Sequence, residues 1–193
     1  MSLRRAVFLD RDGVLVEDHA LARPPTADSI FPYVPAALAR LSAAGYALVV
    51  VTNQPAVARG LATLDDVASV HRALGAALAR EGAVIDRFEV CPHHPDATLP
   101  AWRRACECRK PRPGMLLAAA AALGVDLAAS ELVGDRPTDI GAGRAAGCTT
   151  TLVTTGRHAD PPIVTAGLPY DPTPHRVCRD LAAAVDAILG ARP

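Results

Sequence analysis

The sequence predicts an α/β fold with a mainly parallel sheet, and two observations predict it. Short apolar runs rich in Val, Leu and Phe alternate along the chain with longer segments at helical spacing. Most of these runs stop at polar residues, as buried strands do at the carboxyl edge of an open sheet. No break in composition divides the 193 residues, so we expect a single domain over residues 1–193.

Three apolar runs in the first half are predicted to be buried strands, over residues 6–9, 46–51 and 88–90. A helix over residues 35–44 is predicted between the first two, because Pro35 suits the first helical position. A second helix is predicted to begin after Thr63, since Thr63 with Asp66 three residues later resembles a capping box.

Residues 91–113 are too rich in Pro, Cys and Arg for regular structure, which predicts a long ordered loop. The elements predicted after it are a helix over 114–123, a strand over 131–133, a helix over 138–146, a strand over 149–154 and a last helix over 181–189. The tail between Gly156 and that last helix is rich in proline.

The composition argues against several classes of partner. Twenty Lys and Arg balance twenty Asp and Glu, whereas nucleic acid or an anionic membrane normally requires a basic surplus. The longest apolar run, residues 115–123, is far shorter than the roughly 18 residues that span a bilayer, and no signal peptide is visible. The five cysteines are odd in number and partly clustered, which indicates a reducing compartment. We expect a cytoplasmic monomer with no nucleic-acid or membrane partner.

Polar residues at the strand ends predict a metal site. Asp10 and Asp12 follow the first strand, Thr52 follows the second, and Asp135 follows the fourth. Because the carboxyl ends of parallel strands lie at one edge, these side chains are expected to converge. Carboxylate oxygens from separate strands suit Mg²⁺, and Lys110 could supply the further charge that a phosphoryl group needs.

A second group of candidate ligands lies in the loop over residues 91–108, and its members are Cys91, His93, Cys106 and Cys108. Three thiolates and one imidazole form a tetrahedral set suited to structural Zn²⁺. Two alternatives remain open from the residues alone. Cys106 and Cys108 could form a redox pair, and His94 could replace His93 as the imidazole ligand.

Four motifs resemble those of the haloacid dehalogenase-like phosphatases. They are Asp10-x-Asp12-Gly13-Val14, Thr52-Asn53, Lys110-Pro111 and Gly134-Asp135-x-x-x-Asp139. The chain is most similar to the group that contains the heptose-bisphosphate and histidinol phosphatases, through Cys91-Pro92-His93-His94-Pro95 and Cys106-Glu107-Cys108-Arg109-Lys110-Pro111. The group's pattern favours His93 as the zinc ligand. The resemblance implies a Rossmann-like three-layer sandwich that is capless and carries a zinc-binding loop.

The resemblance also implies a two-step mechanism through an aspartyl phosphate. Asp10 would be the nucleophile, and Asp12 the general acid and then the general base. Mg²⁺ would be held by Asp10, Asp135 and the backbone carbonyl of Asp12, which leaves the Asp12 side chain free. Thr52 would donate to a phosphoryl oxygen, and Lys110 would balance the negative charge.

Candidate substrate-binding residues surround this predicted site, and they are Asp18, His19, Asn53, Gln54, Arg59, Arg109 and Arg136. Arg59 and Arg109 could hold a second anionic group, although Arg59 could equally be a solvated surface residue. Asp139 could orient Lys110, support the metal or cap a helix.

The resulting hypothesis is a Mg²⁺-dependent phosphatase acting on a small phosphorylated sugar, D-glycero-D-manno-heptose 1,7-bisphosphate at its 7-phosphate. Departures from the heptose-phosphatase pattern, such as Pro55-Ala56 after Gln54 and Ala20-Leu21 after His19, leave a histidinol-phosphate phosphatase as the alternative. A zinc-stapled binding module with an inactive site is a third possibility, against which the intact motifs argue.

Overall fold

The computed structural model describes residues 3–18, 26–160 and 170–190. Within them, the strands are β1 (Ala6–Leu9), β2 (Ala47–Asn53), β3 (Arg87–Cys91), β4 (Glu131–Gly134), β5 (Thr149–Val153) and β6 (Arg176–Cys178). They form one sheet in the order β3-β2-β1-β4-β5-β6, and every neighbouring pair is parallel. The predicted mainly parallel sheet is therefore confirmed.

The α-helices of the described residues are α1 (Val34–Ala43), α2 (Pro55–Ala58), α3 (Leu64–Arg80), α4 (Gly114–Leu123), α5 (Pro137–Ala145) and α6 (Leu181–Gly190), with single 3-10 turns at Ala27–Ser29 and Pro100–Trp102. In the part of the chain that the structure describes, no helix combines the length and the apolar character that a bilayer crossing requires. The short helix α2 follows β2 directly at the carboxyl edge of the sheet.

The sheet separates two apolar cores. Side chains alternate between the two faces of a strand, so Val7 and Leu9 of β1 lie in one core and Ala6 and Phe8 lie in the other. The first core is covered by α1, α3 and α6, and the second by α4 and α5. This is the three-layer arrangement implied by the resemblance.

The helix ends follow local chemistry. The Thr63 hydroxyl accepts from the Asp66 amide at 3.1 Å, and the Asp66 carboxylate accepts from the Thr63 amide at 2.8 Å, so the capping box predicted at the start of α3 is confirmed. Helix α4 ends before Gly124, whose φ of 64° lies in the left-handed region that glycine adopts at the carboxyl ends of helices.

Most predicted elements are confirmed within two residues of their bounds, and the differences fall where apolar patterning is weak. β2 begins at Ala47 and continues through Thr52 and Asn53, so both site residues belong to the strand. β6 was not predicted, because it has three residues and its central Val177 is 62% exposed. The four-residue helix α2 was missed for the same reason of length.

Candidate active site and second metal centre

Three buried carboxylates meet at the carboxyl edge of the sheet. Asp10 follows β1, and Asp135 follows β4, which pairs directly with β1. Asp139 lies in the first turn of α5. One oxygen of each carboxylate lies within 4.8 Å of the others, and none of the three residues is more than 6% exposed. The structure thus brings together Asp10 and Asp135, which are far apart in the sequence.

Lys110 is the only lysine among the 193 residues, and its ammonium lies inside this cluster. Nζ is 3.0 Å from Asp10 Oδ1 and 2.6 Å from Asp139 Oδ1, and it donates to the Val51 carbonyl at 2.8 Å. These three acceptors match the three donors of an ammonium. Burial lowers the pKa of Lys110, but the charges of Asp10 and Asp139 outweigh it and the net pKa is raised. The side chain therefore remains a cation.

Asp139 performs two of the roles considered for it. Its Oδ1 pairs with Lys110, and its Oδ2 accepts from the Arg136 amide at 2.9 Å, at the start of α5. One carboxylate therefore orients the lysine and satisfies an unpaired N–H of the first helical turn. Burial, followed by the charge of Asp10, raises the pKa of Asp139 to about 6.

Asn53 holds the backbone of Lys110 in place. Its Nδ2 donates to the Lys110 carbonyl at 3.2 Å, and its Oδ1 accepts from the Lys110 amide at 3.1 Å. Both ends of the Asn53 amide are thus bonded to the lysine, although the sequence suggested a substrate-binding role. These contacts position the Lys110 backbone, and the substrate-binding role expected of Asn53 stays a prediction.

The side chain of Asp12 lies beside the three-carboxylate cluster and is held by two neighbours. Arg11 donates to it through Nε and Nη2 at distances between 2.8 and 3.1 Å. Gln54 Nε2 donates to Asp12 Oδ2 at 3.0 Å and to the buried Thr52 hydroxyl at 2.9 Å. Burial raises the pKa of Asp12 despite the opposing charge of Arg11. Gln54 therefore links the predicted acid to the predicted phosphate donor.

The charge balance of the cluster favours a cation. Three carboxylates face one ammonium, so two negative charges remain when all three are ionised. Asp135 Oδ2 accepts from the Arg157 amide at 2.7 Å, whereas Asp135 Oδ1 is buried without a hydrogen-bond partner. Burial, then the charges of Asp10 and Asp139, raise the pKa of Asp135 to about 8. A hard divalent cation such as Mg²⁺ would satisfy both the charge and the unpaired oxygen.

Two glycines make room for the Asp135 carboxylate. A Cβ added to Gly13 or to Gly156 would overlap Asp135 Oδ2. Gly13 also has a φ of 83°, a conformation that other residues rarely adopt. The glycine that follows Asp10 and Asp12 is therefore required both by its backbone conformation and by the approach of the third carboxylate.

The candidate zinc ligands of the loop also meet. Cys91 Sγ is 3.5 Å from Cys106 Sγ and 3.9 Å from His93 Nδ1. Cys108 Sγ is 3.2 Å from Cys106 Sγ and 3.4 Å from His93 Nδ1. Ligands of a tetrahedral Zn²⁺ ion with Zn–S bonds of about 2.3 Å lie roughly 3.5–3.8 Å apart. The donor types and their spacing therefore fit zinc.

The alternatives for this cluster receive less support from the geometry. His94 Nδ1 accepts from the Asp96 amide at 3.1 Å, so His94 stabilises a turn. A redox pair would need only Cys106 and Cys108, yet Cys91 and His93 complete a four-ligand group around them. Burial raises the pKa of the Cys91 thiol, and a bound metal would offset that cost by taking the thiolate.

A family model described as HAD-hydrolase-like matches residues 107–184. A longer part of the chain is similar to proteins named D-glycero-β-D-manno-heptose-1,7-bisphosphate 7-phosphatase. The protein of that name from Rhodopseudomonas palustris is 45% identical over 147 residues, which are 75% of this chain and 80% of the relative. The one from Escherichia coli K12 is 40% identical over 157 residues, which are 81% of this chain and 82% of the relative. This chain belongs to the haloacid dehalogenase-like hydrolase family.

Solved structures agree with this assignment. The D,D-heptose 1,7-bisphosphate phosphatase from B. bronchiseptica, complexed with magnesium and phosphate, is 37% identical with a TM-score of 0.80. The similarity covers 97% of this chain and 99% of that chain. A putative HAD-like phosphatase from Mesorhizobium loti is 32% identical, with a TM-score of 0.76 and coverage of 96% and 88%. The resemblance inferred from the four motifs is therefore confirmed.

In this HAD-like phosphatase, arginines lie around the loop that carries Lys110. Arg109 donates to the His93 carbonyl at 3.0 Å and is partly buried. Burial lowers the pKa of Arg109, and the charges of Arg59 and Arg136 lower it further, against the opposing effect of Cys91 and Cys106. Arg59 is exposed. The three guanidinium groups thus form a positive region that an anion would stabilise.

Asp18 contacts two arginines rather than lying open to solvent. Its Oδ2 accepts from Arg136 at 3.1 Å and from Arg157 at 2.7 Å, and its side chain is 9% exposed. Asp18 therefore orients Arg136, and its expected contact with the substrate stays a prediction. His19, the other predicted residue of that loop, lies outside the described residues.

Sequence reasoning missed three residues of the phosphatase site. Arg11 lies inside the first motif and is 4% exposed, but a surface arginine would give the same sequence pattern. His71 lies on the buried face of α3 and contacts Arg11, from which it is 60 residues away in the sequence. Arg157 contributes its backbone amide to Asp135, and its position just after β5 was the one available signal.

Proposed function

We propose that this chain is a Mg²⁺-dependent phosphatase that hydrolyses D-glycero-D-manno-heptose 1,7-bisphosphate at its 7-phosphate through an aspartyl phosphate. The observation that carries the proposal is the buried convergence of Asp10, Asp135, Asp139 and Lys110 at one sheet edge. The choice of substrate is supported by the names of relatives that are 40–45% identical.

The first step transfers the phosphoryl group to the protein. A Mg²⁺ ion held by Asp10, Asp135 and the backbone carbonyl of Asp12 would neutralise charge on the phosphoryl oxygens. Asp10 forms a bond to phosphorus while the bond from phosphorus to the sugar oxygen breaks. Asp12 gives its proton to that leaving oxygen, for which its raised pKa is suited.

The second step returns Asp10 to its starting state. Asp12, now ionised, takes a proton from a water molecule that attacks phosphorus, and the bond from phosphorus to Asp10 breaks. Thr52 donates to a phosphoryl oxygen, and Lys110 balances negative charge through its 3.0 Å contact with Asp10. Such positioning and charge stabilisation supply most of the catalysis in phosphoryl transfer.

The second phosphate of the substrate is assigned to the arginines. Arg109 and Arg59, with Arg136 oriented by Asp18, form the positive region described above. An anionic group held there would keep the remote end of the sugar fixed while the other phosphate reacts. Gln54 would act through Asp12 and Thr52 rather than by direct contact with the sugar.

The zinc is assigned a structural role. Cys91, His93, Cys106 and Cys108 use all four positions of a tetrahedral ion, so none remains for substrate. Cys108 lies two residues before Lys110, and His93 accepts through its carbonyl from Arg109. Zinc would therefore fix the loop that presents both basic side chains.

The remaining assignments concern the chain as a whole. We propose that residues 1–193 form a single domain that acts as a cytoplasmic monomer on a small phosphorylated sugar, with no nucleic-acid or membrane partner. The formal net charge of zero supports the choice of a small partner over nucleic acid. Light scattering at assay concentration checks the monomer, and a stable dimer would contradict it.

The test of function compares substrates under one set of conditions. Phosphate release is measured with Mg²⁺ for heptose 1,7-bisphosphate, histidinol phosphate and p-nitrophenyl phosphate. The heptose should give the highest kcat/KM, and EDTA should abolish turnover until Mg²⁺ is restored. Faster turnover of histidinol phosphate would reassign the substrate, and full turnover in metal-free buffer would reject the mechanism.

A further inference from the structure

The buried contact between Arg11 and His71 takes no part in the two chemical steps of the proposed function. Arg11 is 4% exposed and His71 is 5% exposed, although neither residue type is commonly buried to this extent. They lie 60 residues apart in the sequence, and Arg11 Nη1 is 3.3 Å from His71 Nε2. The other side of the Arg11 guanidinium contacts Asp12, the proposed general acid.

The chemistry of the contact fixes the direction of the hydrogen bond. A guanidinium has donors only and stays protonated in proteins, so His71 Nε2 must be the acceptor. His71 is then neutral, with its proton on Nδ1. Burial and the adjacent charge of Arg11 agree with this state, since they lower the pKa of His71 to about 4.

Packing holds the imidazole in place. His71 is on the buried face of α3, and its ring stacks on Phe88 of β3 with 4.6 Å between centroids and 17° between planes. The ring thus joins a helix and a strand that do not themselves carry the reacting groups. Because the ring is held on both sides, His71 Nε2 can orient the Arg11 guanidinium through their hydrogen bond.

Hydrogen bonds connect His71 Nε2, through Arg11, to the residues of the predicted reaction centre. Arg11 binds both oxygens of Asp12, and Gln54 connects Asp12 Oδ2 to the Thr52 hydroxyl. The Asp12 carboxylate is therefore held beside the residue that would bind the phosphoryl group. A rotation of the guanidinium would move the carboxylate away from the leaving oxygen.

We propose that His71 is a positioning residue for the general acid. It accepts a hydrogen bond from Arg11, and Arg11 in turn holds the Asp12 carboxylate where it can protonate the leaving group. The inference rests on the proposed function, since it takes Asp12 as that acid. It predicts that His71 matters most when the leaving group needs a proton.

Two substrates separate this role from a general loss of structure. The leaving oxygen of a sugar phosphate is a strongly basic alkoxide and requires protonation, whereas p-nitrophenolate is a stable anion that leaves without it. Loss of acid positioning therefore lowers kcat/KM for the sugar phosphate more than for p-nitrophenyl phosphate. The ratio of the two values does not depend on how much of the sample is folded.

Two substitutions at the same position separate hydrogen bonding from packing. His71→Phe keeps an aromatic ring for the stack on Phe88 but removes the acceptor. His71→Gln loses the stack but places an amide oxygen near the position of Nε2. We expect His71→Phe to lower the ratio of kcat/KM values about 10-fold or more, and His71→Gln to keep it within about 3-fold of the unmodified protein.

The outcomes are distinguishable. An unchanged ratio in His71→Phe, or a lower ratio in His71→Gln than in His71→Phe, would overturn the positioning role while leaving the phosphatase assignment intact. An unmodified protein that hydrolyses neither substrate with Mg²⁺ would instead reject the proposed function, and the inference with it. A ratio that falls in His71→Phe and is retained in His71→Gln supports both the phosphatase assignment and the positioning role of His71.

Discussion

The carboxylate cluster and the Cys/His cluster lie at the same edge of the sheet, but they are built differently. The carboxylates are placed by β1, β4 and α5, so their positions follow from the packed core. The Cys/His ligands all come from the single segment 91–108, which has little regular structure. The first cluster therefore depends on the fold, whereas the loop that carries the second depends on its own ligands.

The two clusters also differ in what holds them without a metal. Lys110 pairs with Asp10 and Asp139 and compensates part of their charge. The Cys/His ligands contact one another, and thiol hydrogen bonds are weak. We therefore expect the carboxylate site to be formed before Mg²⁺ binds, and the loop to become ordered only with zinc.

The largest expected effect concerns the nucleophile. Asp10→Asn should lower kcat by at least about 10³-fold, because an amide oxygen does not attack phosphorus as a carboxylate does. Zinc content should stay unchanged, since the two clusters share no ligand. Asp65→Asn on the exposed face of α3 is the control and should retain activity. Full activity of Asp10→Asn would remove the distinction between a catalytic and a structural cluster.

The second prediction concerns the internal cation. Lys110→Met should lower the free energy of unfolding by about 3 kcal/mol, since it leaves two buried carboxylates without their partner. Added Mg²⁺ should recover part of that loss. Chemical denaturation with and without Mg²⁺ measures both effects.

Lys110→Arg is the matched variant, because it keeps the charge. The planar guanidinium is larger than an ammonium and cannot direct its donors at the same three oxygens, so activity should still be lost. Wild-type turnover in Lys110→Arg would mean that the site needs only a positive charge.

The third prediction concerns the loop. Cys106→Ser should reduce bound zinc from one ion per chain to almost none and lower the free energy of unfolding by about 2 kcal/mol. Activity should fall as well, because Arg109 and Lys110 lie in the same loop. Elemental analysis and denaturation provide the measurements, and Cys178→Ser in β6 is the control that should keep its zinc. Zinc retained by Cys106→Ser would reject the assigned ligand set.

The last prediction is a dependence of stability on pH in the absence of Mg²⁺. The pKa of Asp135 is raised to about 8, against 3.8 ordinarily, by burial and by Asp10 and Asp139. Between these values the folded protein keeps a proton that the unfolded chain loses, so stability should fall as pH rises from about 4 to about 8.

Mg²⁺ should reverse this trend, because it binds the ionised carboxylates. Thermal unfolding of the zinc-loaded protein at pH 5 and pH 8, in buffer without Mg²⁺ and in buffer with Mg²⁺, tests the prediction. Asp135→Asn cannot titrate at this position and should show a smaller pH dependence in the buffer without Mg²⁺. An equal dependence in that variant would assign the proton to another group.

Much of the carboxylate site could be predicted from the sequence, because the carboxyl ends of parallel strands share one edge. Asp10, Asp135 and Lys110 were recognised through that rule and through the family motifs. The zinc ligands were recognised because they lie within one short segment, where spacing alone limits the geometry.

Only the tertiary structure determines the side-chain contacts between different helices, strands and loops. Asn53 bonds to Lys110, His71 to Arg11, and Asp18 to Arg136, across 57, 60 and 118 residues. No periodicity encodes such pairs, because each depends on how a helix or loop packs against the sheet and on which side chain the packing turns inward. The strand ends determined where the chemistry lies, and packing determined which neighbours hold it in place.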